Sequence, residues 1–507
     1  MVPYGSIVSD TTNTDYLDAF NARHLTPSEV AKDFIASAHF FQLLGLNHCV
    51  LVGPRGSGKT TLLKMLQAEA LKSWAGQGDG KDVKQDFVGI FVPADIRWNR
   101  QLITLTKGIA ESELQLRIYE IAFGTAVLLA LLETLGQLKD KDCFKDWSVL
   151  VDRENEVRLV TQLSELWSLP VALPSLRNLK HSLRVRQTRL PDIAARIRAG
   201  AHLTDLYAEF PYLNSDWLED LIAGIDTINE AISRPTQRWA LLLDELEIIP
   251  EVLLQRIVDC LRSTSSHLIF KLALSPTGSS IFSQLDTKAP TPGNDFKLLR
   301  LWHDERKDLR VFAARLLYKA LTKNNTADAD VLINQLLGAS SIADDEESSS
   351  DDVIESGEYR NKAFSDLSKI DESFRNFIKE KGINLKNLHS SEQGPLIRKI
   401  FPLVYFRSRV LAKWDPEKPR QRGGRIGLEP YTGYPNILDL TEGNPRWILN
   451  LADELLAESK RKAQEFSALA VQTAAVLAHH SRYASMLKVY PVAAGRQQTV
   501  YAFLNAL

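Results

Sequence analysis

The sequence predicts an α/β fold, a mostly parallel sheet between helices that carries a large helical insertion and is followed by a helical C-terminal region. Three observations make that prediction. A glycine-rich stretch, GPRGSGKTT from Gly53 to Thr61, lies between a short apolar run and a helical pattern. Further apolar runs of strand length recur downstream, separated by long helical tracts. The chain has 507 residues, more than one hydrophobic core organises, so two to four domains are expected.

Each element follows from local chemistry. In LTPSEVAKDF, Thr26 is an N-cap, Pro27 the first helical residue and Glu29 the reciprocal partner of a capping box. A second amphipathic stretch at HFFQLLG ends at Gly45 and gives way to HCVLV, a run suited to a buried parallel strand. After the glycine loop, TTLLKMLQAEALKSW has apolar residues at helical spacing. DFVGIFVPADI, RWALLLDELEIIP and HLIFKLALSP supply three more strands. Between Ile96 and Trp239 the pattern is helical, and there Arg177, Lys180, Arg184, Arg186, Arg189, Arg196 and Arg198 face the single acid Asp192. From Arg300 onward helices return. GASSIADDEESSSDDVIESGEYR then interrupts them with a run of acids that reads as a disordered loop. A second basic tract spans Arg398 to Arg425. The expected domains are a core of residues 1–103 and 235–300, an insertion over 104–234, a helical lid over 301–455 with the acidic loop at 338–360, and a small helical or winged-helix-like segment over 456–507.

Composition narrows the function classes. A net charge of -2, with 44% apolar and 24% charged residues, gives no global pull toward nucleic acid or membrane, so any polyanion site must be local. Cys49, Cys143 and Cys260 lack metal spacing and read as free thiols of a reducing, cytoplasmic setting. The first residues lack the layout of an export signal. The longest apolar run, Ile121 to Leu132, falls short of the ~20 residues a bilayer needs and is expected to be a buried core helix, with no membrane contact.

The chemistry concentrates in two motifs. G-x-x-x-x-G-K-T between strand and helix is a phosphate-binding loop, which makes the core an α/β P-loop NTPase. Gly53, Pro54, Arg55, Gly56, Ser57, Gly58, Lys59, Thr60 and Thr61 would hold the nucleotide. Glycines there let successive N–H groups wrap the phosphates, Lys59 reaches the terminal phosphates and Thr60 ligates magnesium. ALLLDELE is the second motif, a buried strand delivering Asp244 and Glu245 to the carboxyl edge of the sheet. Asp244 would steady Mg2+ and Glu245 would orient or deprotonate the attacking water, while Glu247 is set aside as a helix-start acid. Histidines show no metal spacing, and no G-x-S-x-G nucleophile motif appears.

These residues resemble the AAA+/STAND group of P-loop ATPases, and within it bacterial ATPases of the origin-recognition (ORC) type. FNARHLTPSEVAKDF, LVGPRGSGKTTLLKML, LLLDELE, LALSPTG and EGNPRWILNLADELL carry the likeness. It implies ATP with Mg2+, Ser275 as the sensor 1 residue, Arg446 as the sensor 2 arginine of the lid, and the segment at Phe34 and Ile35 packed on adenine. Two departures stand out. The insertion is larger than the family core requires, and residues 276–296, where an arginine finger is usual, contain no arginine. That points to a switch more than to a ring motor, with Arg300 or Arg306 left to act in trans. The resemblance implies a regulatory ATPase with a separate effector protein or self-association, in bacterial anti-phage defence. The alternative is a DNA-binding initiator or loader, with nucleic acid on Arg177–Arg198 or Arg398–Arg425.

Overall fold

The computed structural model describes residues 22, 24–76, 83–94, 96–140, 152–262, 265–276, 290–301, 306–326, 328–338, 352–385, 388, 394–411, 431–488, 499–500 and 502. The chain divides into two compact units, Met1–Glu305 and Arg306–Leu507.

The first unit is built on five strands, β1 (Cys49–Val52), β2 (Phe87–Pro93), β3 (Arg238–Asp244), β4 (Leu268–Leu274) and β5 (Lys297–Arg300). Their spatial order is β2-β3-β4-β1-β5 and every neighbouring pair is parallel. Both faces are covered, so β1 and β4 are buried along their whole length, as continuous apolar runs require. The four strands read from sequence are present. The fifth was not anticipated, because KLLR has no pattern of its own; pairing of Lys297 with Cys49 through Arg300 with Val52 makes it a strand.

Helix α1 (Pro27–Asp33) starts with the expected capping box: Thr26 N donates to Glu29 Oε2 at 2.8 Å and the Thr26 hydroxyl accepts from Glu29 N. It is followed by α2 (Ala38–Leu43), then by α3 (Lys59–Lys64) and α4 (Ala68–Gly76) after the glycine loop. The boundary expected at 103/104 falls inside α5 (Ile96–Thr106), so the insertion begins with that helix and continues with α6 (Ser112–Asp140), α7 (Arg153–Leu166), α8 (Leu176–Arg198), α9 (Leu203–Glu209) and α10 (Trp217–Ala231), and α11 (Glu251–Asp259) lies between β3 and β4. The insertion shares one apolar core with the sheet, in which Leu131, Leu159, Leu179 and Ile225 join Val50, Val88 and Ile90. Helix α6 is long and apolar enough to cross a membrane, but 67% of its most apolar window is buried inside the protein. Ile121, Val127, Leu128, Leu131 and Leu132 are all core residues, as expected for that run.

The second unit contains α12 (Arg306–Thr322), α13 (Ala329–Leu337), α14 (Asp352–Ile370), α15 (Glu372–Glu380), α16 (Gly394–Leu411), α17 (Asn436–Asp439), α18 (Pro445–Lys462) and α19 (Leu469–Leu487). Arg310, 8% exposed on α12, donates from Nε and Nη2 to the two carboxylate oxygens of Asp439, each at 2.8 Å, which locks α12 to α17. Tyr434 N donates to Gly338 O at 2.8 Å. Gln472, 1% exposed on α19, ties the same two points of the chain into one root: its Nε2 donates to Leu337 O at 2.7 Å and its Oε1 accepts from Gly433 N at 2.7 Å. Two expectations change here. The loop expected over 338–360 gives way to helix at Asp352, where an acid suits a helix start and Ala363, Phe364 and Leu367 bury the helix further along. Residues 339–351 lie outside the described residues. The boundary expected at 455/456 falls inside α18, and the described part of 456–507 contains no β-strand.

Candidate functional site

Parallel strands point their carboxyl ends at one edge, and β1, β4 and β3 lie side by side in that order. The edge therefore gathers the glycine loop after β1, Ser275 after β4, and Asp244 at the end of β3 with Glu245 after it. Gly53 N donates to Leu274 O at 3.2 Å, which sets the loop against the end of β4 beside Ser275.

The loop needs glycine at specific places. At Gly53 a Cβ would sit 2.4 Å from Ser57 Oγ, closer than atoms approach, and tightly at 3.0 Å from Leu301 Cβ. Gly58, the N-cap of α3, has φ 88, a left-handed geometry that side chains resist. Lys59 Nζ lies back along the loop, donating to Gly53 O at 2.6 Å and Pro54 O at 3.2 Å. The N–H groups opening α3 carry the positive end of the helix dipole, which favours an anion.

Thr60 and Asp244 meet: Thr60 Oγ1 donates to Asp244 Oδ2 at 2.6 Å, joining residues 184 apart in the chain. Asp244 is 2% exposed and its other oxygen, Oδ1, has no hydrogen-bond partner; Ser57 Oγ is likewise buried without one. Burial pushes the Asp244 carboxyl above its ordinary range, against the Thr60 hydroxyl, the Glu245 backbone N–H and Lys59, which favour its charged form. A buried carboxylate oxygen with no donor, beside a threonine hydroxyl, is a hard oxygen set of the kind magnesium takes. The residues therefore fit the ion. Among the described residues no group of three His, Cys, Asp or Glu forms a further metal cluster.

Glu245 follows with φ 56, an uncommon left-handed conformation for a non-glycine residue. Such geometry clusters at functional positions, where the surrounding structure over-determines it. Glu247, set aside from the sequence, is exposed and its charge opposes ionisation of Asp244, so it borders the site.

Sequence reasoning missed Lys64. It is 8% exposed on α3, with Nζ donating to Leu25 O at 2.7 Å and lying 5.5 Å from the centre of the Phe91 ring. Its charge favours ionised Asp244, while burial lowers its own pKa. Its position five residues beyond Lys59, directly after the apolar pair Leu62 and Leu63, was the available signal. Phe34 and Ile35 are already buried, Phe34 edge-on to Phe40 at 4.8 Å and Trp74 at 5.3 Å. Arg446 belongs to the second unit, exposed in the first turn of α18, where Asn444 Oδ1 accepts from its N–H at 3.1 Å.

The first basic patch departs from expectation. Arg186 does not face solvent: it is 4% exposed, its guanidinium 4.4 Å from the Tyr212 ring centre, with Nε and Nη1 lacking acceptors. Burial lowers its pKa to about 10. Leu179, Leu183, Leu190 and Ile193 define the buried face of α8, and position 186 falls in phase with them. Arg196 pairs with Glu209 at 2.8 Å, and Arg198 Nη1 donates to Leu105 O at 2.7 Å. Arg177, Arg184 and Arg189 remain exposed. Of the second tract only 398–411 is described. Cys49 and Cys260 are free thiols, and Cys143 lies outside the described residues.

Neither the curated proteins nor the solved structures yield a match. One family model matches residues 16–507, spanning both units and every site residue above. A five-stranded parallel sheet with a phosphate loop and an acidic strand end is what a P-loop core requires, and by that match the chain belongs to the ORC-CDC6-like family, with the resemblance to AAA+ ATPases that membership carries.

Proposed function

We propose that this protein binds ATP with Mg2+, hydrolyses it, and uses the cycle as a switch read by a separate protein effector in the cytoplasm. The observation that carries the reading is the 2.6 Å bond between Thr60 and Asp244, which closes the glycine loop on the acidic strand end. When bound, magnesium supplies positive charge to the phosphate oxygens, and Thr60 and Asp244 are the groups that hold it. The N–H groups of residues 56–60 receive the phosphates, and Lys59 exchanges the Gly53 and Pro54 carbonyls for the terminal phosphate. Glu245 accepts the proton of the attacking water. Ser275, at the end of β4, keeps the sensor 1 role that the resemblance gives it, and the resemblance assigns the sensor 2 role to Arg446.

A protein partner is favoured over nucleic acid because the insertion spends much of its basic charge internally: Arg186 is buried, Arg196 is paired and Arg198 is bonded to the backbone. Glu245→Gln tests the hydrolysis step. ATP binding should persist in a calorimetric titration while phosphate release falls at least ~100-fold. Turnover at the unmodified rate would remove Glu245 from the reaction, and Glu247→Gln would be measured next.

A further inference from the structure

The insertion leaves three hydrogen-bonding atoms unanswered at one place. Arg186 on α8 is 4% exposed, and its Nε and Nη1 are sealed from solvent with no hydrogen-bond partner among the described residues. Tyr212, 6% exposed in the short turn Pro211–Asn214 between α9 and α10, has its Oη in the same condition. The two side chains are in contact, with Arg186 Cζ 4.4 Å from the Tyr212 ring centre. A ring gives the guanidinium charge a π face, yet it offers no oxygen to the N–H groups. A charged donor left buried and unbonded costs more than an ordinary hydrogen bond returns, so such a group calls for an occupant.

The surroundings select the chemistry of that occupant. Asp220 is the acid whose charge is felt at Arg186, but its Oδ2 accepts from Ser215 Oγ at 2.9 Å and burial pushes its carboxyl up, toward the neutral form. It leaves the three atoms unbonded. Arg189 and Arg196 lie 5.9 and 5.7 Å from the centre of the Phe210 ring, which adjoins the Tyr212 ring at 5.9 Å. Glu209 pairs with Arg196 at 2.8 Å. Arg186, Arg189 and Arg196 thus stand around two rings against the carboxyl groups of Glu209 and Asp220. Every unanswered atom can donate and the local charge is positive, which suits an oxyanion and repels a cation.

We infer that the insertion binds a small free oxyanion, a phosphate or a carboxylate, to whose oxygens Arg186 Nε and Nη1 and Tyr212 Oη donate. A phosphate carried on a nucleic acid cannot follow these atoms into the core, whereas a free anion can be enclosed there. The anion reaches them when the turn Pro211–Asn214 moves, because that turn carries Tyr212 against the guanidinium. Occupancy and the conformation of the turn are therefore coupled. The site is separate from the phosphate loop and does not depend on what happens to ATP there.

Thermal melts of the full chain test this in a Lys59→Ala background, which weakens phosphate binding at the loop. The probes are inorganic phosphate and succinate, each compared with sodium chloride at matched ionic strength. At least one of them should raise the melting temperature with a saturating dose response. A stronger response to phosphate assigns a phosphate ligand, and a stronger response to succinate a carboxylate. Arg186→Met should weaken the apparent affinity at least ~tenfold, and Tyr212→Phe about threefold. The second substitution keeps the ring and removes only Oη, so it reads the site even if the first disturbs the core. Melts that neither probe shifts beyond chloride overturn the inference, as does a dose response unchanged in Arg186→Met or in Tyr212→Phe.

Discussion

Lys59 and Arg186 are both cations that the sequence places toward phosphate, and they end in opposite situations. Lys59 lies at the open edge of the sheet, held by loop carbonyls. Arg186 lies under the Tyr212 ring in the insertion core, with two of its nitrogens lacking acceptors. The difference teaches which local signals survive folding. A glycine loop dictates its own geometry through left-handed residues and a helix start, so the lysine's place is set by its immediate neighbours. On a helix the orientation of one residue is set by the phase of all the others, and at position 186 that phase belongs to leucines and isoleucine.

The largest expected effect sharpens the contrast. Arg186→Glu places an unpaired carboxylate in the core and should cost about 3–5 kcal/mol in a denaturant melt, whereas Arg186→Met should stay within about 1 kcal/mol of the parent. Equal, small effects would mean that the guanidinium reaches solvent. Next in size, Lys59→Ala should weaken ATP binding about 100-fold by calorimetry, a loss of about 2.7 kcal/mol, without lowering the melting temperature in nucleotide-free buffer. Undiminished affinity would break the comparison at its other end. A smaller effect separates the partner classes. Arg177→Glu with Arg184→Glu alters only exposed cations of α8 and should leave duplex DNA affinity and its salt slope unchanged. A slope reduced by about 0.9 per lost phosphate contact would place nucleic acid on the insertion.

The smallest effect is in the second unit. Burial raises the Asp453 carboxyl to about 6, beside Glu454, Lys323 and Arg482. A raised acid binds its proton more tightly folded than unfolded, so stability falls as pH climbs from the ordinary aspartate value, about 4, to about 6. Asp453→Asn should flatten the melting temperature over that window. A melting curve that keeps the same pH slope in the variant would assign it to another group.

Much of the first unit could be read in advance because its signals are short-range. Four strands announce themselves as apolar runs, the capping box at Thr26 and Glu29 sits where spacing places it, and Thr60 meets Asp244 through sheet order. What could not be read depends on distant partners. β5 exists by pairing with β1, and Lys64 is defined by the Leu25 carbonyl it holds. The helix from Asp352 is stabilised by a core that forms only when α16 returns to it, so the acids at its start spoke for a loop. The burial of Arg186 was recoverable from the period of Leu179, Leu183, Leu190 and Ile193, but charge content drew the reading outward.

The root at Gly338, Tyr434 and Gln472 has a consequence for chain length. Because the two chain ends lie a hydrogen bond apart, the helices on either side do not sense how much chain runs between them. A segment attached in this way can lengthen, shorten or be exchanged without re-solving the fold that carries it, since closing a longer loop adds little free energy. The position between α13 and α17 is thus where the second unit tolerates a change in chain length, with Gln472 the residue that holds the two ends.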